Sequence, residues 1–171
     1  SDGEKIYKIG IMASHSTDNP GARSPTPKEN EMQLKEEELT VKVAKYIEQA
    51  FRIYGNIQVV QIGSTEENPN VSNDGRLQKA KDEQVDVLIE IAFNSAGDGT
   101  KYENDNGVSI TYNQDGGSEE TKKLGQKLKE NVANSMDLNK SISDSTETTN
   151  TLGTKDGSFL SLKINGGYLT S

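Results

Sequence analysis

Val85 to Phe93, VDVLIEIAF, is the most apolar run of the chain. A short run of this kind, ended by the polar Asn94 and rich in β-branched residues, fits a strand covered on both faces, and such strands lie in the middle of parallel sheets. Upstream of it, Gly75 to Gln84 reads as a short helix, with Asp74 as candidate N-cap. Val59 to Ile62 reads as a second strand. Lys35 to Tyr54 is the clearest helix: Thr40, Val43, Ile47, Phe51 and Tyr54 recur at helical steps and build one apolar stripe, and Gly55 is the expected stop. Residues 14 to 34 form a loop that Pro20, Pro25 and Pro27 keep out of a helix. Lys5 to Ala13 is the first strand.

Downstream, Asn94 to Asn106 is a Gly-, Asp- and Asn-rich loop, and Gly107 to Tyr112 a further strand. Ser118 to Met136 fits a helix opened by Ser118, with Glu119 and Glu120 in its first turn. Residues 138 to 156 form a long polar loop, and Phe159 to Ile164 is the last strand. Asn165-Gly166 then has the composition of a turn. The order β-α-β-α-β-β-α-β predicts an α/β fold: a mostly parallel, twisted sheet of about five to six strands with helices on both faces. One domain over residues 1–171 is expected, with 1–4 a flexible start that fits a processed or trimmed chain.

Composition narrows the function. The formal net charge is -8, which disfavours a nucleic-acid partner, because binding phosphates requires a basic surface. There is no cysteine, so disulfides, thiolate metal sites and cysteine nucleophiles are excluded. The hydrophobic fraction is 30% and the mean hydropathy -0.79, so a small core and long polar loops are expected. No stretch reaches the length of a membrane span, so neither membrane insertion nor a signal peptide is expected.

His15 is the single histidine, and it follows directly on the first strand. Ligands in α/β proteins collect beyond the carboxyl ends of strands, so His15 is a candidate for chemistry; an ordinary loop histidine is the alternative. Glu36 is the second candidate. Steps of four, three and four place it on the stripe of Thr40, Val43 and Ile47, where an acid needs a polar partner. It could instead simply favour the positive end of its helix, as Glu37 and Glu38 could. Glu90 shares a strand face with Ala92, so it is either a substitute ligand or the partner of a cation such as Arg76 or Lys163. No G-x-S-x-G, P-loop or dinucleotide fingerprint is present, and no acidic run has the spacing of a calcium loop.

In order, these segments resemble the zinc-dependent N-acetylmuramoyl-L-alanine amidases of the amidase 3 family, which include clostridial endolysin catalytic domains. The resemblance runs from Ile9 to Leu169. Ser14-His15-Ser16 leading to Gly21-Ala22 is similar to the family's Gly-His pair and Gly-Ala loop. Glu36, two helical turns before Val43-Ala44, matches its zinc-binding glutamate. Arg76 stands for its arginine-bearing helix, and Ile91-Ala92-Phe93-Asn94 for its Ile-His-x-Asn strand end. Gly107 to Tyr112 matches a Gly-led strand, and Leu162 to Tyr168 the strand that carries the catalytic glutamate.

The resemblance implies zinc held by His, Glu and His, with a late Glu as general base. His15 and Glu36 keep the first two ligand positions. Ala92 fills the second histidine position and has no donor atom, and Asn165 fills the base position and cannot accept a proton near neutral pH. Asn94 and Arg76 are implied as substrate-binding. The expectation is a degenerate, catalytically inactive amidase with zinc absent or weakly bound. Its expected partner is peptidoglycan or a cell-envelope protein, in the cell wall or spore envelope of a Gram-positive bacterium or in a phage. The alternative is an active zinc amidase that cuts between N-acetylmuramic acid and L-alanine.

Overall fold

The structure is a computed structural model that describes residues 5–25, 31–105, 107–112, 119–135, 144–146 and 160–170. Its elements are β1 (Tyr7–Ala13), α1 (Glu36–Phe51), β2 (Ile57–Gln61), α2 (Asn73–Asp82), β3 (Val87–Asn94), β4 (Ser109–Tyr112), α3 (Glu119–Ser135), β5 (Asp144–Thr146) and β6 (Leu160–Tyr168). The strands form one sheet in the order β2-β1-β3-β6-β4-β5. All neighbours are parallel except β4 and β6. This is the mostly parallel α/β sheet that the strand-helix alternation predicts, and β3, the VDVLIEIAF run, lies inside it between β1 and β6.

Alternation along the strands sends successive side chains to opposite faces. Ile11, Ala13, Ile89, Ile91, Leu162 and Ile164 face α1 and α3, where they meet Ala44, Leu124 and Leu128. Met12 and Leu88 face the other way and pack on Ala80 of α2 with Ile62 and Val85. Helices therefore cover both faces. Gly10 lets this second layer close: a Cβ there would stand 3.0 Å from both Ile62 and Leu88.

Several local expectations need correction. α1 ends at Phe51, before Gly55, and Tyr54 lies outside it, 51% exposed. The cap of α2 is Ser72, whose hydroxyl accepts the Gly75 N–H at 3.2 Å, and Asp74 sits in the first turn. The polar tract 138 to 156 contains β5; its other residues, like Ser118, Met136 and Phe159, lie outside the described residues. Asn165-Gly166-Gly167 is not a turn. β6 runs through it to Tyr168, and the register steps from Ala92↔Asn165 to Asn94↔Tyr168, so the strand carries one extra residue there. Gly167 accommodates this bulge with φ 140, a backbone state that favours glycine.

Candidate functional site

The site begins where β1 stops. The Ser14 N–H donates to the Ile91 carbonyl, and the Ser14 carbonyl accepts the Thr40 hydroxyl at 2.9 Å. His15 follows with φ 68, the left-handed state that few side chains adopt. Its conformation is held from beneath by Arg76, one of the largest fully buried side chains among the described residues. The guanidinium donates to the carbonyls of Ala13 (2.6 Å), His15 and Val71 (3.2 Å) and to Ser64 Oγ (3.1 Å). Ser64 Oγ in turn donates to the His15 carbonyl. Arg76 thus fastens the turn that presents the imidazole. Burial lowers its pKa, and the charge of Glu90 acts in the opposite direction.

Glu36 opens α1 and is 3% exposed. Its Oε2 accepts the Ala22 N–H at 2.8 Å and faces His15 Nε2 at 3.3 Å, and its Oε1 accepts the Phe93 N–H at 2.8 Å. One carboxylate therefore ties the loop after β1, the start of α1 and the end of β3. The acid at the head of the stripe therefore meets polar partners from two other parts of the chain. Burial pushes the Glu36 pKa up, yet the His15 hydrogen bond and the two main-chain N–H groups outweigh it and hold the carboxyl below its ordinary value. The same Glu36 bond raises the His15 pKa, against burial and the nearby Lys163 charge. Gly21 closes over the pair; a Cβ there would stand 2.6 Å from His15 Cδ2 and nearer still to Glu36 Oε2.

Ala92 and Asn165 lie side by side in the β3–β6 register, both buried, one residue before the Phe93 N–H that Glu36 holds. Asn94 is half-buried beyond them and donates to Ser109 Oγ at 3.2 Å. Glu90 is buried and accepts the Ser14 hydroxyl at 2.5 Å, with Lys163 beside it in register. A catalytic zinc takes three protein donors and keeps one open position. The 3.3 Å between His15 and Glu36 would suit two such ligands as well as a hydrogen bond, so the donor count decides. Position 92 offers a methyl group, position 165 a carboxamide. Among the described residues no group of three or more His, Cys, Asp or Glu is placed to hold a metal ion. Among the described residues the site supplies two of the three donors that such an ion takes, His15 and Glu36.

Sequence reasoning missed the parts that are main chain. The N–H groups of Ala22 and Phe93 carry no side-chain signal. Ser64 and Ser14 were hidden among many loop serines, and Thr40 stood in the apolar stripe as an ordinary helix residue. A hydroxyl at a core position was the one available clue to Thr40.

The class that fold and site define is an α/β sheet with a buried acid and a histidine gathered beyond the carboxyl ends of its central strands. The chain matches the family model described as amidase 3, N-acetylmuramoyl-L-alanine amidase, over residues 9–171, and it belongs to that family. A search of curated protein sequences finds no match. Among solved structures, it is similar to the catalytic domain of CwlV, an N-acetylmuramoyl-L-alanine amidase from Bacillus (Paenibacillus) polymyxa var. colistinus, with 17% identity and a TM-score of 0.75, over 97% of this chain and 83% of that one. The N-acetylmuramoyl-L-alanine amidase of Clostridium difficile 630 gives 20% and 0.76, over 98% and 82%. The CwlD amidase of Clostridioides difficile, in complex with the GerS lipoprotein, gives 17% and 0.67, over 96% and 84%. At these identities the likeness establishes the fold.

Proposed function

We propose that this chain is an amidase-fold domain that binds peptidoglycan at the cell envelope without cutting it. The observation that carries this reading is the pair at the end of β3 and β6. Ala92 and Asn165 are adjacent and buried, one residue before the Phe93 N–H that Glu36 holds, and the family resemblance puts the second histidine and the catalytic glutamate at these two positions. Loss of a general base alone costs about 10²–10⁴-fold in rate, and two donors hold zinc poorly. Its family membership makes peptidoglycan the first ligand to test. A structural neighbour that holds a lipoprotein makes an envelope protein the second. No described helix is long and apolar enough to cross a membrane.

Three measurements on the purified protein test this. After dialysis against zinc and then buffer, metal analysis should find far less than one zinc per chain. Incubation with purified cell walls should release no new L-alanine amino termini, while the protein sediments with the walls. Ala92→His combined with Asn165→Glu should raise zinc affinity by at least about tenfold, because it returns a donor to the position where the family resemblance expects one. Stoichiometric zinc in the parent chain together with amide cleavage would overturn the proposal. So would a parent chain that fails to bind walls.

A further inference from the structure

The two faces of the sheet differ in chemistry where β6 runs. Leu162 and Ile164 face α1 and α3, so alternation turns Ser161, Lys163 and Asn165 to the opposite face. In register beside Lys163 and Asn165 stand Glu90 and Ala92 of β3, and Thr111 and Ser109 of β4. Under β1 and β3 this face is apolar, with Met12 and Leu88 packed on Ala80 of α2. Under β6 and β4 it is polar. β6 is an interior strand, where an ammonium or a carboxamide costs free energy unless something answers it.

Neither group is answered among the described residues. Asn165 is 7% exposed, and none of those residues hydrogen-bonds its carboxamide. Lys163 is half-buried, and no described acid pairs with it. Its neighbour Glu90 is engaged elsewhere: it accepts the Ser14 hydroxyl at 2.5 Å and feels the Arg76 charge. Glu36 is engaged with His15 and two main-chain N–H groups. The Lys163 charge is felt at His15, beyond the end of β1.

We infer that Lys163 and Asn165 form a carboxylate-binding site, which takes an acidic group of the wall peptide. This rests on the wall-binding reading and names what the domain grips. The ammonium supplies the charge. The carboxamide supplies an N–H beside it, which an ionised acid at 165 could not, because a carboxylate only accepts. One ammonium and one neutral amide match a single negative charge. A phosphate dianion would bring a second negative charge beside Glu90 with no further cation to balance it.

The test titrates the full chain with N-acetyl-Ala-Ala, which carries one carboxylate, with its carboxamide, and with inorganic phosphate, read by NMR shifts of the chain's own amides. Charge-assisted hydrogen bonds should make the carboxylate peptide bind at least about tenfold tighter than the carboxamide. Lys163→Met should cut that preference to within about twofold, and Asn165→Asp should cut it at least about fivefold. Circular dichroism checks the fold of each variant, and the two peptides compared on the parent need no variant. Equal affinity of the parent for the two peptides would overturn the inference. So would a folded Lys163→Met that keeps the preference, or phosphate binding tighter than the carboxylate peptide. Wall sedimentation of the parent separates the two readings. A parent that sediments with walls but shows no carboxylate preference refutes this site alone. A parent that prefers the carboxylate but leaves walls unbound keeps the site and refutes the wall as its source.

Discussion

Replacing Glu36 by Ala is the most direct probe of what its carboxylate does. Two main-chain donors, Ala22 N–H and Phe93 N–H, and the imidazole of His15 converge on it. Without the carboxylate, both N–H groups lose an ionised acceptor at a place where the side chain itself was 3% exposed. A buried donor left unsatisfied costs about 1–3 kcal/mol, so the two together come to roughly 2–6 kcal/mol if no water relieves them. Loss of the His15 pair adds to this, and collapse of the loop after β1 subtracts from it. For a domain whose total stability is on the order of 5–15 kcal/mol, that is a large fraction. At about 2–4 °C per kcal/mol, the melting temperature should fall by roughly 4–24 °C. The assay is urea and thermal unfolding of metal-free protein at pH 6. Glu38→Ala on the same helical turn is the control. Glu38 pairs with Lys35 at the surface, and removing it should cost about 1 kcal/mol or less. If Glu36→Ala matched the parent within about 0.5 kcal/mol, the carboxylate would not be a strut of the metal-free fold and this reasoning would fail.

Stability should also depend on pH through the same pair. His15 is raised above 6.5, so its contribution is whole below that value and is lost as pH rises through the folded-state pKa. Glu36 is lowered below 4.5, so its contribution is whole above that value and is lost as pH falls through the folded-state pKa. The pair therefore contributes most between pH 4.5 and 6.5; urea midpoints should drop from pH 6 to pH 8.5, and His15→Gln should flatten that drop. Arg76→Lys should destabilise by about 2–4 kcal/mol, because one ammonium cannot span the Ala13, His15 and Val71 carbonyls that the planar guanidinium reaches. Equal urea midpoints for Arg76→Lys and the parent would refute that role.

The strand and helix order was legible because burial writes a period into a sequence. β3 is apolar on both faces apart from Glu90 since both are covered, and α1 is striped since one face is. The four positions at the site were legible by their order along the chain, but not their contacts. Nothing local says that Glu36 meets the N–H of Phe93, 57 residues on. The Asn-Gly pair at 165 misled for a related reason. Turn propensity is a local preference, and pairing of β6 between β3 and β4 overrides it.

What the amino-acid sequence determined alone was chemical inventory. It has one histidine, no cysteine, a methyl at 92 and a carboxamide at 165, so any further charged donor must come from its 27 acidic residues. What only the tertiary structure decided was neighbourhood. It set Ala92 against Asn165, turned Arg76 inward beneath His15, and gave Glu36 two main-chain N–H partners. Those are long-range contacts, fixed by how strands register and helices close over them, and a short-range pattern carries no record of them.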